Sequence, residues 1–283
     1  MNTPVSNVTP DAEVARLVIS DLTISFGARP TVALEKLTVA KGEVVGLAGE
    51  SGAGKSLTGL SVLGLTTRMG AQVTGSIRLD GRELLTLRER ELRRLRGGTV
   101  ALIPQSPASA FNPLLRVGTV MTRALRLHGD SRGQAKQRAA TALERVWLER
   151  GHLSRYPHQL SGGQLQRVAI ALALALGARF LIADEPTSAL DVTVQREILE
   201  LLQRLRREEG MSILLVSHDL AALASVCDRI AVMRNGHLIE DRPTLDLVTS
   251  PNDSYTEELI NAVPQLDETT GTAQVGRTET RDA

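Results

Sequence analysis

Residues 49–56, which read Gly-Glu-Ser-Gly-Ala-Gly-Lys-Ser, constrain the fold of this chain more than any other segment. The pattern is G-x-x-x-x-G-K-S, in which the glycines let consecutive backbone N–H groups converge on phosphate oxygens. A largely apolar run at residues 43–48 precedes it, and residues 57–65 have a composition compatible with a helix. A strand, a glycine-rich loop and a helix N-terminus in this order predict an α/β fold with an anion site.

The residue types in this loop predict how a nucleotide would be held. Lys55 is expected to reach the β- and γ-phosphates, and Ser56 is expected to offer its hydroxyl to Mg²⁺. The alternative is a glycine-rich turn that precedes a lysine by chance, and the flanking strand and helix argue against it. The predicted nucleotide-binding residues of the loop are Gly49, Glu50, Ser51, Gly52, Ala53, Gly54, Lys55, Ser56 and Leu57.

A second apolar run, at residues 180–183, is predicted to be a strand that carries Asp184 and Glu185 at its C-terminal end. Open parallel sheets bind their ligands at this end of the strands. Asp184 suits the surroundings of Mg²⁺, commonly through water, and Glu185 suits the attacking water as a general base or orienting group. The alternative is an acidic helix cap, because Pro186 and Thr187 follow and could start a helix.

Five further segments resemble, in order, motifs of the ATP-binding cassette (ABC) family. They are Ser25–Gly27 (adenine-stacking loop), Ile103–Gln105 (Q-loop), Leu160–Gln164 (signature), Ser188–Asp191 (D-loop) and Val216–Asp219 (switch histidine). The resemblance covers about residues 15–264. It implies that ATP and Mg²⁺ bind and that the chain hydrolyses ATP between two copies of such a subunit.

The signature-like segment also has a physical reason to bind phosphate. Ser161, Gly162 and Gly163 precede a predicted helix that starts at Gln164, so they expose N–H groups and a hydroxyl at a positive helix end. The alternative is an ordinary N-cap and turn. The resemblance implies that this helix end binds the γ-phosphate of the opposite subunit, to which it supplies Ser161 and Gly163. Gly162, Gln164 and Asp191 of the D-loop are also predicted nucleotide-binding residues.

Three isolated residues complete the predicted site. His218 follows the apolar strand 213–216, where an imidazole can hydrogen-bond a γ-phosphate and help hold the attacking water. Gln105 could offer its amide oxygen to Mg²⁺, or it could be a loop glutamine that faces water. Phe26 could stack on adenine, or it could be a core aromatic of the sheet at residues 15–40. The predicted catalytic residues are therefore Glu185, His218 and Lys55, and the predicted metal ligands are Ser56, Gln105 and Asp184.

The patterns predict a P-loop NTPase core with a mainly parallel sheet, flanked by an antiparallel β subdomain at residues 15–40 and 71–80. The helical periodicity of residues 107–160 predicts an inserted α-helical subdomain, in which residues 117–127 and 135–148 are the clearest amphipathic stretches. The nucleotide-binding domain is expected to span residues 15–264. Residues 1–14 are predicted to be a disordered N-terminus, and residues 265–283 a flexible C-terminal tail.

Charge and composition exclude several classes of protein. A formal net charge of +1 argues against a nucleic-acid-binding surface, and the single cysteine leaves no disulfide or cysteine-ligated metal cluster within the chain. No apolar run reaches the roughly 18 to 20 residues that span a membrane. The chain is therefore expected to be peripheral, attached through partners to the cytoplasmic face of the inner membrane.

The resemblance extends to the branch that imports dipeptides, oligopeptides and nickel. Residues 250–264, which include Tyr255, resemble the C-terminal segment of that branch, although Asn252–Ser254 replaces its frequent His-Pro pair. The branch implies import of peptides or a related solute such as nickel or an opine. It also implies a second ATP-binding subunit, identical or related, two transmembrane permease subunits and, indirectly, an extracytoplasmic solute-binding protein. Tyr255 could equally be a tail aromatic that packs on the sheet.

Two other classes of protein share part of this pattern. A soluble cassette protein that acts on DNA or ribosomes would normally carry a long coiled-coil insertion or two cassettes. A P-loop kinase would explain residues 49–56 and the carboxylate pair, but it would not explain Leu160–Gln164 or His218.

Overall fold

The computed structural model describes residues 15–27 and 29–262, so the predictions for residues 1–14 and 265–283 lie outside the described part. The strands are β1 (Ala15–Ser25), β2 (Pro30–Ala40), β3 (Val44–Ala48), β4 (Gln72–Leu79), β5 (Arg82–Glu83), β6 (Val100–Ile103), β7 (Phe180–Asp184), β8 (Ser212–Val216), β9 (Arg229–Arg234) and β10 (His237–Pro243). They form one sheet in the order β5-β4-β1-β2-β10-β9-β3-β8-β7-β6.

The helices surround this sheet. They are α1 (Lys55–Val62), α2 (Glu89–Leu95), α3 (Pro107–Ala110), α4 (Val117–Leu127), α5 (Arg132–Arg145), α6 (Gly162–Leu176), α7 (Val192–Glu209), α8 (Leu220–Val226), α9 (Thr244–Thr249) and α10 (Ser254–Asn261). Three short 3₁₀ segments lie at Thr67–Met69, Arg150–Ser154 and Pro157–Gln159. None of the helices among the described residues is both long and apolar enough to cross a membrane.

The parallel half of the sheet runs from β9 through β3, β8 and β7 to β6. Every residue of β3 and β8 is buried, because parallel strands are covered on both faces. Alternate residues of β8 enter two different cores: Ile213 and Leu215 pack with the helical insertion, whereas Leu214 and Val216 pack with the antiparallel strands. The predicted α/β P-loop fold is thereby confirmed.

The predicted antiparallel strands form the other half of the same sheet. β1 pairs antiparallel with both β2 and β4. β10 joins the halves, because it pairs antiparallel with β9 and meets β2 in a parallel bridge between His237 and Ala33. The antiparallel strands are therefore continuous with the parallel strands rather than a separate layer.

The insertion between β6 and β7 is helical, and α4 and α5 pack on α6. The predicted amphipathic stretch 117–127 coincides with α4, whereas the stretch 135–148 is shifted toward the N-terminus. Helix α5 starts early because the Ser131 side chain accepts a hydrogen bond from the Gln134 N–H. It ends before Trp147, whose φ of 59° is incompatible with a right-handed helix.

Candidate functional site

The loop between β3 and α1 has the backbone shape that a phosphate cradle requires. Gly54, the N-cap of α1, has a φ of 98°, and a Cβ added there would lie 2.6 Å from Cγ2 of Val32. A side chain is therefore excluded by both the torsion angle and the space. The first turn of α1 contains no acidic residue. Its N–H groups and positive helix end are consequently available to an anion.

The Lys55 side chain lies inside this loop, with only 5% of the residue exposed. Its Nζ donates to the carbonyl oxygens of Gly49 at 2.7 Å and of Glu50 at 2.8 Å. Burial lowers the pKa of the Lys55 ammonium, and the charges of Glu185 and Asp184 partly oppose that effect. The ammonium is thus fixed over the loop, close to two carboxylates, in a position that suits the phosphates of a nucleotide.

Asp184 ends β7 and accepts a hydrogen bond from Ser56, with 2.8 Å between Ser56 Oγ and Asp184 Oδ1. Burial raises the pKa of the Asp184 carboxyl, the hydrogen bond from Ser56 opposes this, and the neighbouring Glu185 charge adds to the rise. A buried carboxylate beside a hydroxyl is the hard-oxygen donor set that Mg²⁺ takes alongside substrate phosphates. Ser56 and Asp184 therefore fit the predicted metal site.

The Glu185 carboxylate lies between two polar side chains. Gln105 Nε2 donates to Oε2 at 3.1 Å, and His218 Nδ1 lies 3.1 Å from Oε1. Gln105 Nε2 also donates to the Ser188 hydroxyl at 3.2 Å, a contact that the sequence did not indicate. Glu185 has a positive φ of 44°, a sparsely populated conformation of the kind that clusters at functional sites, and its N–H donates to the Val216 carbonyl. A base of this kind can orient a water molecule.

The helix-cap alternative for Asp184 and Glu185 is wrong. Helix α7 begins only at Val192, and its N-cap is Asp191, whose Oδ1 accepts from the Val194 N–H at 3.0 Å. The intervening residues 186–190 form turns and a bend. Asp191 thus has a structural role in the isolated chain, and its contact with nucleotide stays a prediction.

The signature-like residues form the N-terminus of α6, away from the phosphate loop. Ser161 Oγ accepts from the Gln164 N–H at 3.2 Å, and Gln164 Oε1 accepts from the Ser161 N–H at 3.1 Å, which is a capping box. Ser161, Gly163 and Gln164 line an open cleft of about 320 Å³ with Trp147 and neighbouring residues. None of residues 49–56 lines that cleft. One chain therefore does not bring its signature to its own phosphate loop.

Trp147 covers one side of this signature cleft. It is the only tryptophan of the chain and is 46% exposed. The guanidinium carbons of Arg167 and Arg204 lie 5.3 and 4.5 Å from its ring centroid. These cation–π contacts hold an exposed indole in place beside the signature.

Phe26 lies in the turn between β1 and β2 and is 41% exposed. The alternative that this ring belongs to the core of the antiparallel strands is therefore wrong. An exposed ring is available for stacking, and its contact with adenine stays a prediction.

Replacing Asp184 by Asn should raise the melting temperature of the metal-free protein at neutral pH, because the variant carries no charge at this partly buried position. The raised pKa of Asp184 means that its charged form costs stability, so protonation stabilises the fold as pH falls through that pKa. The variant should lose this contribution to the pH dependence. Thermal melts in EDTA between pH 4 and 8 test this, with exposed Glu35→Gln as control. A lower melting temperature for Asp184→Asn at neutral pH would contradict the prediction.

Comparisons with known proteins agree with this geometry. The family model described as ABC transporter matches residues 35–188. The chain is 40% identical over 262 residues to the dipeptide transport ATP-binding protein DppD of Haemophilus influenzae (90% of this chain, 79% of that protein). It is 41% identical over 258 residues to the oligopeptide transport ATP-binding protein OppD of Salmonella typhimurium (89% and 77%). A dimeric post-hydrolysis structure of the cassette MJ0796, bound to ADP and Pi, matches with a TM-score of 0.70 at 28% identity (81% and 98%).

Proposed function

Because this chain belongs to the ATP-binding cassette family of ABC transporters, we propose that it hydrolyses ATP to power the import of peptides through a membrane complex. The observation that carries the proposal is the Glu185 carboxylate, held between Gln105 and His218 next to the Ser56–Asp184 pair. In this proposal, Glu185 serves as the base and Ser56 and Asp184 as the metal-binding pair, next to the loop of residues 49–56.

The relatives of this chain and its C-terminal segment support peptides as the transported solute. DppD of Haemophilus influenzae and OppD of Salmonella typhimurium are named for dipeptide and oligopeptide transport. The identity extends over about nine-tenths of this chain. Residues 250–264 resemble the same branch. Peptides are therefore favoured over nickel or opines.

The proposed mechanism assigns one task to each group. The loop N–H groups and Lys55 bind the phosphates of ATP. Ser56 and Asp184, with the amide oxygen of Gln105, would hold Mg²⁺, which supplies charge neutralisation for the phosphate oxygens when bound. Glu185 orients the attacking water and accepts its proton.

His218 completes the group around the water. Its imidazole lies 3.1 Å from Glu185 Oε1 and its side chain is 58% exposed, so it can also reach a γ-phosphate from the sheet edge. Phe26 is proposed to stack on adenine from the turn between β1 and β2. Both assignments rest on placement and on the family resemblance.

A second ATP-binding subunit is proposed to complete the site. Ser161, Gly162, Gly163 and Gln164 lie at a helix N-terminus that lines a separate cleft, and they are proposed to serve a nucleotide held by a facing chain. The related cassette MJ0796 was solved as a dimer bound to ADP and Pi. Loss of the bridging γ-phosphate would then reopen the pair and move the helical insertions.

The remaining partners follow from this role. Two transmembrane permease subunits are proposed to receive the motion, and an extracytoplasmic solute-binding protein is proposed to deliver peptide to them. The chain would lie at the cytoplasmic face of the membrane. Reconstitution with those partners should give peptide uptake that requires ATP on the cytoplasmic side; nickel uptake without peptide uptake would reject the solute class.

The specific ATPase activity should rise with protein concentration, because a site completed by a second chain gives a steeper than linear dependence of rate on concentration. Steady-state assays over about a hundredfold range, with sedimentation to report the dimer, check this. A specific activity that stays low at every protein concentration, and that rises when a related ATP-binding subunit is added, would identify a heterodimer. A high specific activity that does not depend on concentration, measured where the protein is monomeric, would contradict the shared site. Activity that requires an acceptor substrate would indicate a kinase.

A further inference from the structure

The C-terminal helix α10 contacts the phosphate loop through Tyr255. The Glu50 N–H donates to the Tyr255 hydroxyl, with 3.0 Å between nitrogen and oxygen. Tyr255 is 2% exposed and is among the largest fully buried side chains. The two residues are 205 positions apart in the chain. The last helix of the described residues is therefore joined to the loop that is proposed to bind phosphates.

The peptide group between Gly49 and Glu50 has two partners. Its N–H donates to Tyr255, and its carbonyl oxygen accepts from Lys55 Nζ at 2.7 Å. Because a peptide group is planar, a rotation that breaks one of these hydrogen bonds also misaligns the other. Hydrogen bonds that share a peptide group also polarise each other. The Tyr255 hydroxyl is thus linked to the Lys55 ammonium through a single rigid group.

Tyr255 itself is held in place by the strands beside it. The guanidinium carbon of Arg234, at the end of β9, lies 4.5 Å from its ring centroid. The Tyr255 N–H donates to the Asp253 side chain at 2.8 Å. The buried Glu240 carboxylate accepts from the N–H groups of Asn252 at 2.9 Å and Asp253 at 3.3 Å. These contacts fix the start of α10, and with it the hydroxyl.

At Gly49, the phosphate loop packs closely against the backbone of β9. Gly49 has a φ of 142°, and a Cβ there would lie 2.2 Å from the Met233 carbonyl oxygen. The peptide group that follows is consequently packed between β9 and Tyr255. The Glu50 N–H has the Tyr255 hydroxyl as its acceptor in a partly buried hydrogen bond. Packing alone would be satisfied by a phenylalanine, so the hydroxyl has a separate role.

We infer that Tyr255 is a positioning residue for the ATPase reaction proposed above: its hydroxyl fixes the peptide group between Gly49 and Glu50 and thereby aims the Lys55 ammonium at the phosphates. The inference rests on the proposed function. It makes the C-terminal segment, which is remote from the loop in sequence, a part of the support of the nucleotide site.

The full chain carrying Tyr255→Phe tests this, because the change removes the hydroxyl and keeps the ring under Arg234. Loss of one such hydrogen bond should raise the Kd and KM for ATP by about threefold to tenfold. The kcat at saturating ATP should change by less than about twofold, since Lys55, Glu185 and His218 remain. Amide hydrogen exchange should become faster for the peptide that contains Glu50. Calorimetry, steady-state kinetics and exchange mass spectrometry give the three readouts.

Thr256→Val is the matched control on the same helix. Thr256 is fully buried and its hydroxyl has no hydrogen-bond partner among the described residues, so the change removes a neighbouring hydroxyl without touching the loop. Its Kd for ATP and its exchange at Glu50 should equal those of the wild type. An unchanged Kd or unchanged exchange in Tyr255→Phe would overturn the inference, as would equal shifts in Thr256→Val. A wild-type chain that binds no ATP would instead overturn the proposed function.

Discussion

The Glu185→Gln variant is expected to bind ATP with wild-type affinity and to lose turnover by about a hundredfold to ten-thousandfold, the contribution typical of a positioned general base. The amide cannot accept a proton from the attacking water. ATP therefore stays intact and keeps two chains together, so the closed dimer should accumulate. Single-turnover hydrolysis, together with size-exclusion chromatography in ATP, measures both effects.

The structure indicates why this substitution should leave the site intact. In the variant, the carbonyl oxygen of the introduced amide can accept from Gln105 Nε2, while its NH₂ group can donate to His218 Nδ1 when the imidazole proton is on Nε2. Exposed Glu35→Gln is the matched control and should hydrolyse ATP normally. Wild-type hydrolysis in Glu185→Gln would reject Glu185 as the base.

Lys55→Ala should weaken ATP binding by about tenfold to a hundredfold, since a charge-assisted hydrogen bond to phosphate contributes about 1.5 to 3 kcal/mol. The loss should be larger for ATP than for a nucleotide without β- and γ-phosphates, because Lys55 is placed over the phosphate loop. Calorimetric titration of ATP and AMP gives the comparison.

Lys41→Ala is the control for this second variant. Lys41 is exposed in the turn that precedes β3, at the opposite end of that strand from the loop. Removing its charge changes the net charge equally and should leave the affinity unchanged. Unchanged ATP binding by Lys55→Ala would count against the assignment of residues 49–56.

The sequence predicted the placement of the polar residues at the sheet edge because each follows a short apolar run. Asp184 is the last residue of β7, Glu185 follows it, and His218 lies two residues after β8. Both strands are almost entirely buried, and they pair with each other in parallel. A local pattern is sufficient for this, since parallel strands place their C-terminal ends together. The roles of these residues in hydrolysis remain predictions.

Contacts between distant segments could not be predicted in the same way. No local pattern indicates that Tyr255 reaches Glu50, or that β10 joins two halves of the sheet through His237 and Ala33. These depend on how complete elements pack. The alternative of a helix that starts at Pro186 was wrong because a second capping residue follows five residues later. The Asp191 side chain caps α7, so the helix begins at Val192.

Trp147 is an intrinsic fluorophore that can report on this surface. It is the chain's one indole, half exposed beside the N-terminus of α6. A facing chain seated on that cleft would take the ring out of water and shift its fluorescence to shorter wavelengths, so each round of closing and reopening could be followed in real time without a dye.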